Sequence, residues 1–392
     1  MKTNLLPLLA ALLLAACADS GSTVAVDARL ADVPDSTRVY LMIRDGQVYR
    51  TVADTLVIGG RARFDYAPDS TALLPAEFSL DCEAPVSGSL RFWAGRGRTR
   101  IEGRGVMAAD WRAENRTAEQ VAFVRLNPRT DAVRERDRVY AEYLELVMPV
   151  FRGEKKFDDT LRARADALLA RSDSLFVVYL GECYAVVRDC ERFTDFELAQ
   201  VAETVRFAFM NGRTVLEPFR ARLEAQYAAL TPEQQASAAG ETFRNALWPV
   251  VALVEGDRLP EEPLRDLEGE EHRMSDFRGR YVLLDFWSCG CGPCIAAMGE
   301  LGELARTYAD RLVVVSVSVD ESAELWRKAS EQHGVSWTNL SDGKGQHRGF
   351  ACRFAFTGIP FYVLADPEGV IVDRWSGYGE GSLRSRVGEA LK

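Results

Sequence analysis

Only three histidines occur in the 392 residues of the chain. His272, His333 and His347 stand apart, with no spacing that would gather them as metal ligands. There is no surplus of positive charge either. The formal net charge of −10 argues against nucleic acid as a partner, because phosphate binding relies on excess Lys and Arg. Gly95-Arg96-Gly97-Arg98 is too short and unrepeated to change that, and Arg100-Ile101-Glu102 alternates like a strand edge. No self-similarity at a period of about 30 to 50 residues is evident, which excludes a repeat solenoid. Beyond residues 5–16 no apolar run is long, and that run itself falls short of the roughly 20 residues a membrane-spanning helix requires.

What residues 5–16 do have is the shape of a secretory signal core behind Lys2. It ends in Leu14-Ala15-Ala16-Cys17, small residues before a cysteine that resemble the lipobox of bacterial lipoproteins. Residues 1–16 are therefore expected to be a signal peptide, with Cys17 lipidated as the first residue of the mature chain. The alternative is an ordinary signal peptide and a structural Cys17. Residues 17–23 would then form a polar tether reaching roughly 20 Å from a membrane surface.

The densest chemical signal is Cys291-Gly292-Pro293-Cys294. It follows the apolar run of residues 281–287, which reads as a buried strand, and precedes residues 295–308, which read as a helix. A helix N-terminus leaves backbone N–H groups unpaired and carries partial positive charge, so it favours a thiolate at Cys291. Cys289 turns the local pattern into C-x-C-x-x-C. Three roles are open to it: a structural thiol, a partner in a reversible bridge with Cys291 or Cys352, or a soft-metal ligand.

Of the eight cysteines, Cys82, Cys183, Cys190, Cys289 and Cys352 remain once Cys17 and the Cys291/Cys294 pair are set aside. That is an odd number, so at least one is unpaired within a monomer. Cys183 and Cys190 would bridge only if the helix expected there breaks between them, since seven helical positions rise about 10.5 Å. Otherwise they are two buried thiols.

Three compositions succeed one another, implying a multidomain chain. Residues 24–105 alternate and turn, as in Arg61-Ala62-Arg63-Phe64-Asp65-Tyr66, and predict a small antiparallel β-sandwich or half-barrel. Residues 110–255 carry apolar residues at helical spacing. They predict helices over 117–125, 131–151, 158–169, 174–188, 195–210, 214–229 and 232–251, a scaffold or a peptide-binding surface. Residues 257–392 alternate strand and helix, with strands over 281–287, 311–319, 361–365 and 370–375 and helices over 321–333 and 382–391. That order predicts an α/β sheet covered on both faces.

The last third resembles the thioredoxin superfamily, specifically its exported branch of membrane-tethered, TlpA/ResA-like thiol-disulfide oxidoreductases. The resemblance rests on the leaders around Leu267-Glu268-Gly269-Glu270 and Met274-Ser275-Asp276-Phe277-Arg278-Gly279. It continues through Asp285-Phe286-Trp287, the Cys291–Cys294 spacing, Val315-Ser316-Val317-Ser318-Val319-Asp320, Thr357-Gly358-Ile359-Pro360 and the Asp366-Pro367-Glu368-Gly369 hairpin. Residues 24–105 resemble the small β-domain that precedes such domains in Bacteroidetes-type lipoproteins. The sequence departs from the branch at Gly290, where Trp is usual, at Gly299 for a helix-kinking Pro, at Ala297 for an acidic residue, and at Phe361 for Thr.

The resemblance implies that Cys291 attacks a substrate disulfide and Cys294 resolves the mixed disulfide. It puts Asp285 in the position of a buried carboxylate that shuttles the Cys294 proton; otherwise Asp285 is a polar strand-end residue capping a loop. A cis Pro360 would set Ile359 to bind extended substrate through its backbone, with Gly292, Pro293 and Trp287 beside it. No cofactor and no metal are implied. Expected partners are disulfide-containing exported proteins, a membrane electron-donor thiol protein, and the membrane itself through the lipid, with the chain facing the periplasm. A thiol peroxidase would need Thr and Pro just ahead of its cysteine, and residues 285–290 contain neither. A tethered binding protein with a vestigial redox domain is the non-enzymatic alternative.

Overall fold

The computed structural model describes residues 23–392 except 46–47, 69–73, 84–87, 152–153 and 210–213. Residues 1–16, the expected signal segment, and Cys17 lie outside the described residues. The chain divides into two compact units, residues up to 44 with 49–176, and residues 45–48 with 177–392.

The first unit begins with eight strands: β1 (Val24–Ala31), β2 (Arg38–Asp45), β3 (Val48–Leu56), β4 (Arg61–Tyr66), β5 (Ala76–Cys82), β6 (Ser89–Ala94), β7 (Gly97–Arg104) and β8 (Arg112–Glu114). They form two four-stranded sheets, ordered β4-β1-β7-β8 and β3-β2-β5-β6. Alternation sorts the side chains: Val39, Leu41 and Ile43 of β2 and Leu90, Phe92 and Ala94 of β6 point inward, meeting Val26, Phe64 and Ile101 of the other sheet. One pairing departs from the antiparallel expectation, since β1 and β7 run parallel. The helix α1 (Ala118–Leu126) is capped by Thr117 and anchored by Gln120, which donates to Ala113 O and accepts from Trp93 N, each at 2.8 Å. The helix α2 (Asp131–Phe151) follows.

The two helices expected over 158–169 and 174–188 are one, α3 (Asp159–Val187). The intervening Arg171, Ser172 and Asp173 do not break it, and Ser172 is itself buried. α3 ends before Cys190, so the required break exists, yet Cys183 and Cys190 are both free. The carbonyls of Val187 and Cys190 are taken instead by the buried amide of Gln226 at 2.9 and 3.0 Å.

After α3 come α4 (Asp195–Phe209), α5 (Arg220–Ala228), α6 (Pro232–Ala236) and α7 (Ala238–Leu247). The expected helix over 232–251 is broken because Ser237 leaves the helical conformation and its hydroxyl caps α7 through Gly240 N. The one over 214–229 begins in earnest only at Arg220, behind a 3-10 turn containing Pro218.

The rest is α/β: β9 (Leu264–Arg265), β10 (Glu271–His272), β11 (Tyr281–Trp287), α8 (Gly292–Thr307), β12 (Leu312–Ser318), α9 (Ala323–Gln332), β13 (Thr338–Leu340), α10 (Gly349–Cys352), β14 (Phe361–Ala365), β15 (Ile371–Ser376) and α11 (Ser382–Ala390). The main sheet is ordered β13-β12-β11-β14-β15. β11 pairs with β12 in parallel and with β14 antiparallel, so it lies at the centre. Both faces of β11 are buried, which is why it reads as an apolar run interrupted only by Asp285. Val282, Leu284 and Phe286 face one core with Phe350 and Phe354, while Leu283 faces Ala297 and Leu301 of α8.

Candidate active site

The centre of the sheet delivers the chain to the helix α8. Cys291 is its N-cap and Pro293 stands in its first turn, a conformation proline favours. Cys291 and Cys294 form a disulfide, with Cα atoms 5.2 Å apart. Cys291 Sγ accepts from Cys294 N at 3.2 Å, so the sulfur sits where the helix terminus would stabilise a thiolate. The two sulfurs are unequal: Cys294 is 1% exposed and Cys291 9%, flanked by exposed Gly292 and Pro293.

The Ile359–Pro360 peptide is cis, and Ile359 packs on the apolar cluster that contains both cysteines. Phe361 fills the aromatic core instead of the surface, its ring 4.8 Å from that of Phe356. Trp287, which the resemblance set against substrate, is fully buried. Its Nε1 donates to Asn339 Oδ1 at 3.3 Å, an acceptor shared with Trp326, so Trp287 supports the cysteines from below and cannot meet a substrate.

Asp285 is no strand-end residue. It sits inside β11, 1% exposed. Because strand side chains alternate, it shares the α8 face with Leu283 and Trp287, beneath the helix that carries Cys294. Ser316 Oγ donates to Asp285 Oδ2 at 2.8 Å, while Oδ1 has no partner. Burial raises the carboxyl to about 7, opposed only by the Ser316 hydrogen bond. Such a group can take and return a proton near neutral pH.

Cys289 is chemically quiet. Its N–H donates to Asp320 Oδ2 at 3.0 Å. Burial, then the charge and hydrogen bond of Asp320, push its thiol up to about 12. Among the described residues no group of three or more His, Cys, Asp or Glu is placed to hold a metal ion. Cys352 donates its thiol to Gly349 O, and burial raises its pKa as well. His272 pairs with Asp266, and His347 lies against Arg206.

The profile of the AhpC/TSA family matches residues 256–386. The thioredoxin-like protein YneN of Bacillus subtilis (strain 168) is 32% identical over 31% of this chain and 72% of its own length. The thiol-disulfide oxidoreductase ResA of Geobacillus thermodenitrificans (strain NG80-2) is 34% identical over 33% of this chain and 73% of its own. The chain belongs to the thioredoxin-like thiol-disulfide oxidoreductases. A solved thioredoxin domain of a thiol-disulfide oxidoreductase from Bacteroides vulgatus is 29% identical, covering 36% of this chain and 100% of that one at a TM-score of 0.34.

Three residues of this oxidoreductase escape a reading of the sequence. Ser316 disappears into a run of valines, although its place opposite Asp285 in a parallel pair puts it on the same face. Trp337 donates to Ser316 Oγ at 2.9 Å from outside any expected element. Tyr362 is opposite Asp285 on the other side, with its hydroxyl buried and unpartnered.

Proposed function

We propose that the chain is a lipid-tethered, periplasmic reductase of disulfides in exported proteins. The observation that carries this is the asymmetric Cys291/Cys294 pair at the N-terminus of α8, beside a cis Ile359–Pro360 peptide. Cys291 thiolate attacks a substrate disulfide, forming a mixed disulfide and releasing one substrate thiolate. Cys294 gives its proton to Asp285 and attacks Cys291 Sγ. The second substrate thiolate leaves, the substrate has gained two electrons, and Cys291–Cys294 has lost them. The released thiolates take protons from water. Extended substrate hydrogen-bonds to the backbone of Ile359 and crosses Gly292 and Pro293.

Gly-Pro between the cysteines supports the reducing direction, as in thioredoxin, whose potential is about −270 mV. A potential measured against glutathione above about −150 mV overturns that direction. Electrons would come from a thiol protein in the membrane. Anchoring rests on Cys17 and its preceding small residues. Radioactive fatty acid should label the wild type and not Cys17→Ala; label on both removes the anchor from the proposal. The chemistry is tested by Cys294→Ser, which should accumulate substrate complexes through Cys291 that dithiothreitol releases. Complexes through Cys82 or Cys352 would refute the assignment.

A further inference from the structure

Asp285 is held from one side only. On its face of the sheet the direct neighbours are Ser316 of β12 and Tyr362 of β14, one on each flank. Both carry a hydroxyl, but only that of Ser316 reaches the carboxyl. Ser316 in turn has no freedom to donate elsewhere. Its oxygen accepts the indole N–H of Trp337, which leaves the hydroxyl proton for Asp285 Oδ2. Asp285 Oδ1 is buried with no partner. With Oδ2 accepting from Ser316, the open oxygen for a proton is Oδ1, and α8 covers that face with Cys294 and Ala297.

We infer that Ser316, oriented by Trp337, is a positioning residue for the redox step: it occupies Asp285 Oδ2 and so directs the Cys294 proton to Oδ1. This rests on the role proposed above for Asp285. In that step the Cys294 S–H bond breaks, Oδ1–H forms, and the sulfur electron pair makes the bond to Cys291 Sγ as the substrate thiolate departs. Other titratable groups on this side of the sheet include Tyr362 of β14, Cys294 and Glu300 of α8, Cys289 and Cys291 ahead of it, Tyr281 of β11, Tyr308 after α8, and Tyr378 beyond β15. Glu300 is engaged elsewhere, accepting from Gly381 N and Arg384 N at 3.1 and 2.6 Å. Tyr362 is held neutral by burial and by the Asp285 charge.

The Ser316 hydrogen bond favours the carboxylate over the acid. Losing a hydrogen bond to a charged acceptor costs the ionised form more than the neutral one, by enough to move its titration upward by about one pH unit. The test is the pH–rate profile of single-turnover reduction of dieosin glutathione disulfide by the reduced full chain. Asp285→Asn should abolish the limb that rises through neutral pH. Ser316→Ala should keep that limb and move it up by about one pH unit. Trp337→Phe should move it in the same direction by less, and Ser316→Thr, which keeps a hydroxyl, should restore it. A redox-difference infrared spectrum should show the protonated Asp285 carboxyl persisting to correspondingly higher pH in Ser316→Ala.

If Asp285→Asn leaves the profile intact, the role of Asp285 fails. If Asp285→Asn removes the limb while Ser316→Ala leaves it in place, the positioning role of Ser316 fails alone.

Discussion

Asp285→Asn should stabilise this protein at alkaline pH and leave it nearly unchanged in acid. Burial raises the carboxyl from 3.8 in the unfolded chain to about 7 in the folded one. Below the unfolded value both states hold the proton and the residue is neutral to stability. Between about 4 and 7 the unfolded chain loses its proton and the folded one keeps it, so stability falls as pH rises; above 7 the loss is complete. A shift of roughly 3 units at 1.36 kcal/mol each amounts to about 4 kcal/mol. Asparagine removes this penalty, and its side-chain oxygen can still accept from Ser316.

Native-state hydrogen exchange of the oxidised full chain isolates the sheet from the other unit. Comparing variant and wild type at the same pH cancels the intrinsic exchange rate. The slowest amides of β11 and β12 should be protected at least about 100-fold more in Asp285→Asn at pH 8, a factor set by 1.4 kcal/mol per tenfold. At pH 4 the two should agree within a few-fold. Equal protection at both pH values, or weaker protection at pH 8, would refute the argument that Asp285 is held as a costly buried acid.

Three further outcomes follow from neighbouring residues. A Cβ on Gly299 would meet nothing within 4 Å, so Gly299→Ala should stabilise α8 by about 0.8–1 kcal/mol in hydrogen exchange of its peptides. A Cβ on Gly302 would approach the Trp337 ring to 3.0 Å, so Gly302→Ala should destabilise by about 1–3 kcal/mol in the same experiment. In the reduced protein at pH 8, iodoacetamide should alkylate Cys291 well before Cys289, whose thiol is pushed up to about 12; mass spectrometry showing Cys289 modified first would overturn its assignment as a quiet structural thiol.

The parts of the site legible in sequence are those whose chemistry is local. A run of apolar residues buried on both faces stands out in sequence even with one polar residue inside it, so β11, despite Asp285, and β14 fall where the sequence places them. The helix α2 also matches its expected bounds, there because its apolar residues recur at helical spacing. Cys291-Gly292-Pro293-Cys294 marks the strand-to-helix junction in sequence, although α8 begins at Gly292 rather than at Ile295, because Cys291 caps it and Pro293 fits its first turn. What escaped depends on partners distant in sequence. A serine inside Val313-Val314-Val315-Ser316-Val317 looks like a tolerated polar residue until the register sets it opposite Asp285. The resemblance sets Trp287 beside the substrate, but Asn339 and Trp326, distant in sequence, hold it in the core. The direction of β1 against β7 is likewise invisible, since strand alternation is the same in parallel and antiparallel pairs.

Reduction of insulin disulfides by the full chain, followed in a single turnover with stoichiometric prereduced protein, addresses the Cys291/Cys294 site most directly. The wild type should reduce one disulfide per chain and end with Cys291 and Cys294 bonded, while Cys291→Ala should be inert. Insulin left intact by the wild type, or reduced equally well by Cys291→Ala, would contradict a dithiol reductase centred on these two cysteines.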